Sequence, residues 1–302
     1  VTVSLTPTGA HLYVDGWEVA RDTAIVVSPA ALGATNSNWI GKWAVPEASF
    51  AGRIDEFYVY DGEISSADIR QLAWPKTDYS IWHFDEASGT VAVDSSDNHR
   101  DATMVRATFN SGVIGNSAQL YNPSNDDTPP ADADQYVQLP AGVVQDCTLG
   151  YTVAAWINVI ATRSHARVFE FSNNTATAIF GRTMGGSTQQ WALGDASGTL
   201  QYASIDYVWP IGTWHHVAAV RDGLVLHAYI DGREQGAKTP FTMPTGTPPA
   251  SSLGNTLNNY IGRTRDSAAS NERRRLHGFV DEFLLSCRPY TSDEVKQLAT
   301  KY

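Results

Sequence analysis

The chain has 302 residues, enough for two ordinary domains or for one and a half of the larger all-β kind. Only 18% are charged, while 24 glycines, 14 prolines and 11% aromatics punctuate short apolar runs, the texture of an antiparallel β-sandwich or barrel. A net charge of −11 argues against a phosphate-neutralising nucleic-acid surface, and no apolar run approaches the ~18 residues of a membrane-spanning helix.

In chain order, LYVDGWEVA (12–20) reads as a hairpin turned at Asp15-Gly16, because a type I′ turn needs positive φ at both central residues. After a long loop come NWIGKW (38–43) and GRIDEFYVY (52–60), an apolar and β-branched run around one Asp-Glu pair that predicts a strand. SSADIRQL, from Ser65, opens with a capping-box pattern in which Asp68 stands three residues after the hydroxyl. Residues 75–78, PKTD, are the linker.

The same elements recur in the same order as AYIDGREQG (228–236), NYIGRT (259–264), GFVDEFLLS (278–286) and TSDEVKQLA from Thr291, with Glu294 in the capping position. The offset grows from 216 residues at the turns to 221 at the IG pairs and 226 at the DE strands, so loops differ while strands hold. The repeat is a domain. Val1 falls opposite Val217, inside a strand, and nothing in the first copy answers residues 79–216. The first copy is therefore expected to be the back half of a domain, the intact protein extending upstream with its front half held by strand pairing.

The second unit opens with the strand Tyr79–Phe84 and an acidic Gly/Ser/Asn-rich stretch. SAQLYN, a polar loop from Pro123 to Asp134, YVQLP and the alternating YTVAAWINV (151–159) follow, then RVFEFS, AIFGRT, QQWALG, TLQYAS, WHHVAAV and LVLHAYI. About a dozen strands spaced by turns predict a two-sheet jelly roll. Cys147 and Cys287 are compatible with a disulfide or with two buried thiols. Arg273, Arg274 and Arg275 read as a solvated loop.

WHFDEASGTVAVDSSDNHRDATM, from Trp82, resembles the opening of LamG-like jelly-roll domains of the concanavalin A-like lectin/glucanase superfamily; TWHHVAAV, YIDG, YIGR and GFVDEFLLS followed by TSDEV resemble their closing half. The resemblance covers residues 76–302 as one complete domain and 1–75 as the C-terminal half of another. It implies an all-β, antiparallel two-sheet β-sandwich. It further implies modules appended to secreted bacterial enzymes that act on polysaccharides, where such tandems bind glycan or brace the catalytic domain.

Asp85, Asp94, Asp97, Asn98 and Asp101 crowd into 17 positions and supply only oxygen, which suits Ca²⁺. First and last strands of an antiparallel jelly roll are commonly neighbours, bringing Asp281 towards that loop. In jelly-roll glucanases the calcium site joins the first strand's acidic turn to an Asp on the last strand, and the resemblance maps this onto Asp85 and Asp281. The expected structural calcium site is Asp85, Asn98, Asp101 and Asp281 with backbone carbonyls; the alternative is that these residues only make Asx turns. Asp55, equivalent to Asp281, is expected to hold no complete site.

A sugar needs an aromatic face for its apolar side and polar groups for its hydroxyls. Arg182, Gln190, Trp191 and Tyr202 lie on successive strands and are expected to share a concave sheet. Trp82, Trp156 and Trp214 read as core; Trp43 and Trp209 are loop candidates.

Catalysis finds little footing. No E-x-D-x-E, G-x-S-x-G or H-E-x-x-H pattern occurs. His215 and His216, adjacent on a strand, point to opposite faces and share no ion. The leading expectation is a non-catalytic glycan-binding or accessory pair, with polysaccharide and the upstream portion as partners. Its rival is a structural or adhesive module contacting protein through an apolar patch, and a third reading has the chain completing an active site from upstream residues.

Overall fold

The computed structural model describes residues 1–14, 16–25, 29–42, 50–54, 57–65, 69, 72, 79–122, 134–161, 166–173, 178–183, 190–196, 200–207, 210–234, 240–265 and 275–300. The chain divides into two compact units, Val1–Pro75 and Lys76–Tyr302. Asp15, Trp43, Asp55, Asp68, Trp209, Arg273, Arg274 and the linker at 75–78 lie outside the described residues.

The first unit holds one antiparallel sheet of β1 (Thr2–Thr6), β2 (Gly9–Val14) and β3 (Trp17–Asp22). The second begins with β4 (Tyr79–Trp82), β5 (Val91–Ala92), β6 (Ala102–Val105), β7 (Thr108–Ser111), β8 (Asn116–Leu120), β9 (Tyr136–Gln138) and β10 (Gly150–Ala161). It continues with β11 (Ala166–Ser172), β12 (Ala178–Thr183), β13 (Gln190–Ala196), β14 (Leu200–Asp206), β15 (Trp214–Asp222), β16 (Val225–Ile230), β17 (Arg233–Glu234) and β18 (Phe241–Thr242). β19 (Asn258–Ile261), β20 (His277–Ser286) and the helix α1 (Ser292–Thr300) complete it.

Two antiparallel sheets face each other. The larger has the order β17-β16-β15-β10-β20-β8-β7, with β18 beside β16 and β4 beside β20; the smaller runs β14-β13-β12-β11-β19-β9-β6-β5. Period-two alternation turns Tyr151, Val153, Ala155, Ile157 and Val159 of β10 inward to meet Phe169 and Phe171 of β11 and Ile261 of β19. The second unit is thus an antiparallel two-sheet β-sandwich.

Local signals are realised where a partner is present. Asp231 and Gly232, between β16 and β17, both adopt positive φ, 49° and 71°. The Thr291 N–H donates to Glu294 Oε2 (2.6 Å) and the Glu294 N–H to Thr291 Oγ1 (3.3 Å), the reciprocal capping box that starts α1. Cys147 and Cys287 form a disulfide between the loop after β9 and the end of β20.

Two expectations are corrected. Residues 57–60 take no strand conformation, although 278–286 form most of β20. β20 is hydrogen-bonded to β10, β8 and β4, which have no counterpart among the described residues of the first unit, and a strand without neighbours has no outlet for its N–H and C=O groups except water. Trp82 is core as expected, but Trp156 and Trp214 lie outside the core on the outward face of the larger sheet. Their strands, β10 and β15, are apolar on both faces, so alternation alone did not say which set turns inward.

Candidate functional site

The outward face of the smaller sheet is built by register. Gln138 pairs with Tyr260, Tyr260 with Glu170, Glu170 with Phe180, Phe180 with Gly194 and Gly194 with Tyr202, one row across six strands. The neighbouring row joins Arg167, Arg182, Ala192 and Ser204. Gln190, two positions from Ala192, takes the same face. Trp191 pairs with Thr183 and Ile205, one position out of step, so it falls on the opposite face of its strand. Register thus brings Arg182, Gln190 and Tyr202 onto one face and separates Trp191 from them.

Charge and rings alternate on this face. The buried Glu170 accepts from Arg167 Nε (3.0 Å), Thr264 Oγ1 (2.8 Å) and the Arg265 N–H (3.1 Å). The Phe180 ring lies 3.9 Å from the Arg167 guanidinium carbon and 5.5 Å from that of Arg182. At the other end of the row, Tyr136 and Tyr260 meet edge to face at 5.4 Å, with Arg263 over both. Burial raises the Tyr260 phenol above its ordinary pKa, keeping it a neutral donor. These half-buried tyrosines escaped the sequence reading because YVQLP and NYIGRT read simply as strands; their alternation with Val137 and Ile261 was the available signal.

The four expected calcium residues fall into two groups. Asp281 and Asp85 flank the turn between β7 and β8: the Val113 and Ile114 N–H groups donate to Asp281 Oδ2 (2.8 and 3.1 Å), and the Asn116 N–H to Asp85 Oδ1 (2.8 Å). A Cβ on Gly112 would overlap Asp281 Oδ2, and one on Gly115 would overlap Asp85 Oδ1, so the turn closes tightly on both carboxylates. Burial pushes the Asp281 carboxyl up to about 7, against those amides and the Glu282 N–H on Oδ1 (2.8 Å).

Asn98 and Asp101 belong to another loop, organised by Asp94, which accepts from the Ile81, Ser96 and Arg100 N–H groups, each at 3.0 Å. Asp101 Oδ1 takes the Asp94 N–H (3.0 Å), and Asn98 Nδ2 donates to the Tyr79 carbonyl (2.8 Å). These are the Asx-type contacts of the alternative reading. Among the described residues no three His, Cys, Asp or Glu side chains are grouped to hold one ion. Asp85 and Asp281 thus accept amides of one turn, while Asn98 and Asp101 belong to a separate loop.

A family model described as Laminin_G_3, of the concanavalin A-like lectin/glucanases superfamily, matches residues 1–70 and 131–296. The chain belongs to this superfamily. No curated protein matches its sequence. Among solved structures, domain 4 of AbnA, a GH43 extracellular arabinanase from Geobacillus stearothermophilus, in complex with arabinotriose, is 19% identical with a TM-score of 0.53, over 73% of this chain and 97% of that one. A Trypanosoma rangeli sialidase in complex with a difluoro-KDN is 14% identical with a TM-score of 0.51, over 73% of this chain and 32% of the sialidase. At these identities the likeness shows the concanavalin A-like fold. Among the described residues no helix is long and apolar enough to cross a membrane.

Proposed function

We propose that residues 76–302 are a non-catalytic carbohydrate-binding module of a secreted, polysaccharide-degrading enzyme, binding glycan on the outward face of the smaller sheet. The observation that carries this reading is the pair of half-buried tyrosines, Tyr136 and Tyr260, set beside the Arg263 guanidinium and the Gln138 amide on that face, which suits the apolar face and hydroxyls of a pyranose. The arabinotriose complex of AbnA domain 4 supports an oligosaccharide on a domain of this shape. Among the described residues, the buried carboxylates Glu170 and Asp134 are held in ion pairs with arginine, which argues against their use as a free acid and base for glycoside hydrolysis. In this reading calcium is structural, with Asp85 and Asp281 as its carboxylate ligands.

Affinity electrophoresis of the full chain through polysaccharide gels, with calcium and then with chelator, tests the proposal. Retention that Tyr260→Ala abolishes supports it; no retention on any glycan leaves the structural or adhesive role.

A second reading concerns residues 1–75. Val1 and Val3 are 92% and 65% exposed, whereas their counterparts Val217 and Ala219 are 1% and 0% exposed beneath the opposite sheet. We infer that this bare face takes the front half of a LamG-like jelly roll. Mass spectrometry of protein from its natural source should then find a stretch like residues 79–216 joined to or travelling with this chain; its absence would overturn the inference.

A further inference from the structure

We propose that the Arg263 end of this face is a subsite for an acidic sugar residue, with Arg263 as the fork for its carboxylate or sulfate. The proposal rests on the carbohydrate reading above and narrows its ligand class.

Arg263 lies two residues past the end of β19, and its guanidinium carbon sits 4.6 Å from the Tyr136 ring and 5.3 Å from the Tyr260 ring. Two rings fix the plane and direction of the fork before any ligand arrives. Its acidic neighbour, Asp134, is shared: the Asp134 carboxylate pairs with Arg275 as well as lying at ion-pair distance from Arg263, and Arg106 Nε donates to the Asp134 carbonyl (3.0 Å). Arg263 Nε stands 3.6 Å from Asp134 Oδ2, too far for a hydrogen bond, and is buried without a hydrogen-bond partner. Arg263 makes no hydrogen bond to any described residue.

The side chain is 15% exposed, so the fork remains reachable from solvent. A planar guanidinium with free N–H groups is matched by an oxyanion that takes two parallel hydrogen bonds. Two guanidiniums, of Arg263 and Arg275, share the Asp134 carboxylate and a third, of Arg106, holds its main-chain carbonyl, a local positive excess in a chain whose net charge is −11, so an anion is drawn to this spot rather than to the molecule at large. The half-buried Tyr136 and Tyr260 rings and Gln138 lie alongside for the apolar face and hydroxyls of the same ring. A pyranose bearing a carboxylate or sulfate satisfies all of these groups together; a neutral one leaves the fork empty.

The test is titration calorimetry of the full chain with a galacturonate trisaccharide, its carboxyl-reduced neutral counterpart and a sulfated galactose trisaccharide, at low and moderate salt. The galacturonate or the sulfated sugar should bind about 10- to 100-fold more tightly than the neutral one, with the preference shrinking as salt rises. Whichever acidic sugar is preferred identifies the oxyanion. Arg263→Gln should erase the preference while leaving neutral binding in place, and Arg263→Lys should restore little of it, lacking the fork. Equal affinity for acidic and neutral sugars overturns the proposal and spares the carbohydrate reading, a comparison that needs only the unmodified protein. Binding of none of the three overturns this proposal, while the polysaccharide gels judge the wider reading separately. A preference unchanged in a folded Arg263→Gln variant overturns the assignment to Arg263.

Discussion

Asp281 and His216 both pair in register with Trp156, one from each side, on the outward face of the larger sheet, and their protonation pulls stability in opposite directions. Burial pushes the His216 imidazole down to about 4, so its contribution is fully present above about pH 6.5 and is lost as pH falls towards 4. Burial pushes Asp281 up to about 7, so its contribution is fully present below about pH 4 and is lost as pH rises through 7. They are on the order of 3 and 4 kcal/mol respectively at the ends of nearly the same window, and the two slopes largely offset each other. In chelator-containing buffer, His216→Phe should therefore gain stability relative to the unmodified chain between pH 7 and 4.5, and Asp281→Asn should lose it. Melts in which both variants track the parent at every pH would refute the opposed pair. If calcium is bound as proposed, its addition should raise the melting temperature more at pH 7 than at pH 5, because it needs the ionised carboxylate.

The element scale separates what a local sequence can specify from what it cannot. The Asp-Gly turn and the capping box were legible because each is settled within a few residues; Thr291→Ala should cost about 1 kcal/mol in urea unfolding, and a loss near zero would mean the cap is not formed in solution. The sandwich was legible from the repeat and from alternation. The DE strand was only half legible, since 278–286 needs β10, β8 and β4 beside it, and no local property of 52–60 reports whether such neighbours exist. Amide exchange should accordingly be fast at 57–60 and slow at 279–285; equal protection would mean that the first unit finds a partner for this segment in solution. Register hid part of the site in the same way: Trp191 and Arg182 are both strand residues in the sequence, yet one step of pairing puts them on opposite sides.

The two copies of the closing half also predict how the whole chain fails. In Lys76–Tyr302 the hairpin of β15 and β16 is packed on its inward face, and the Cys147–Cys287 disulfide, spanning 140 residues, closes the loop that contains it. By the chain-entropy model such a closure is worth roughly 4–5 kcal/mol, nearly all through the unfolded state. The hairpin of β1 and β2 buries Ser4, Thr6 and Tyr13 on one side but leaves Val3, Leu12 and Val14 bare on the other, and no cysteine lies in its unit. A three-stranded sheet with one covered face is marginal on its own. Limited proteolysis should therefore trim residues 1–75 first and leave a fragment near 76–302, which melts in one transition that moves down on adding reductant. Cleavage inside 76–302 before 1–75 would show that the bare face is protected in solution, and a melting transition indifferent to reductant would show that the disulfide contributes little.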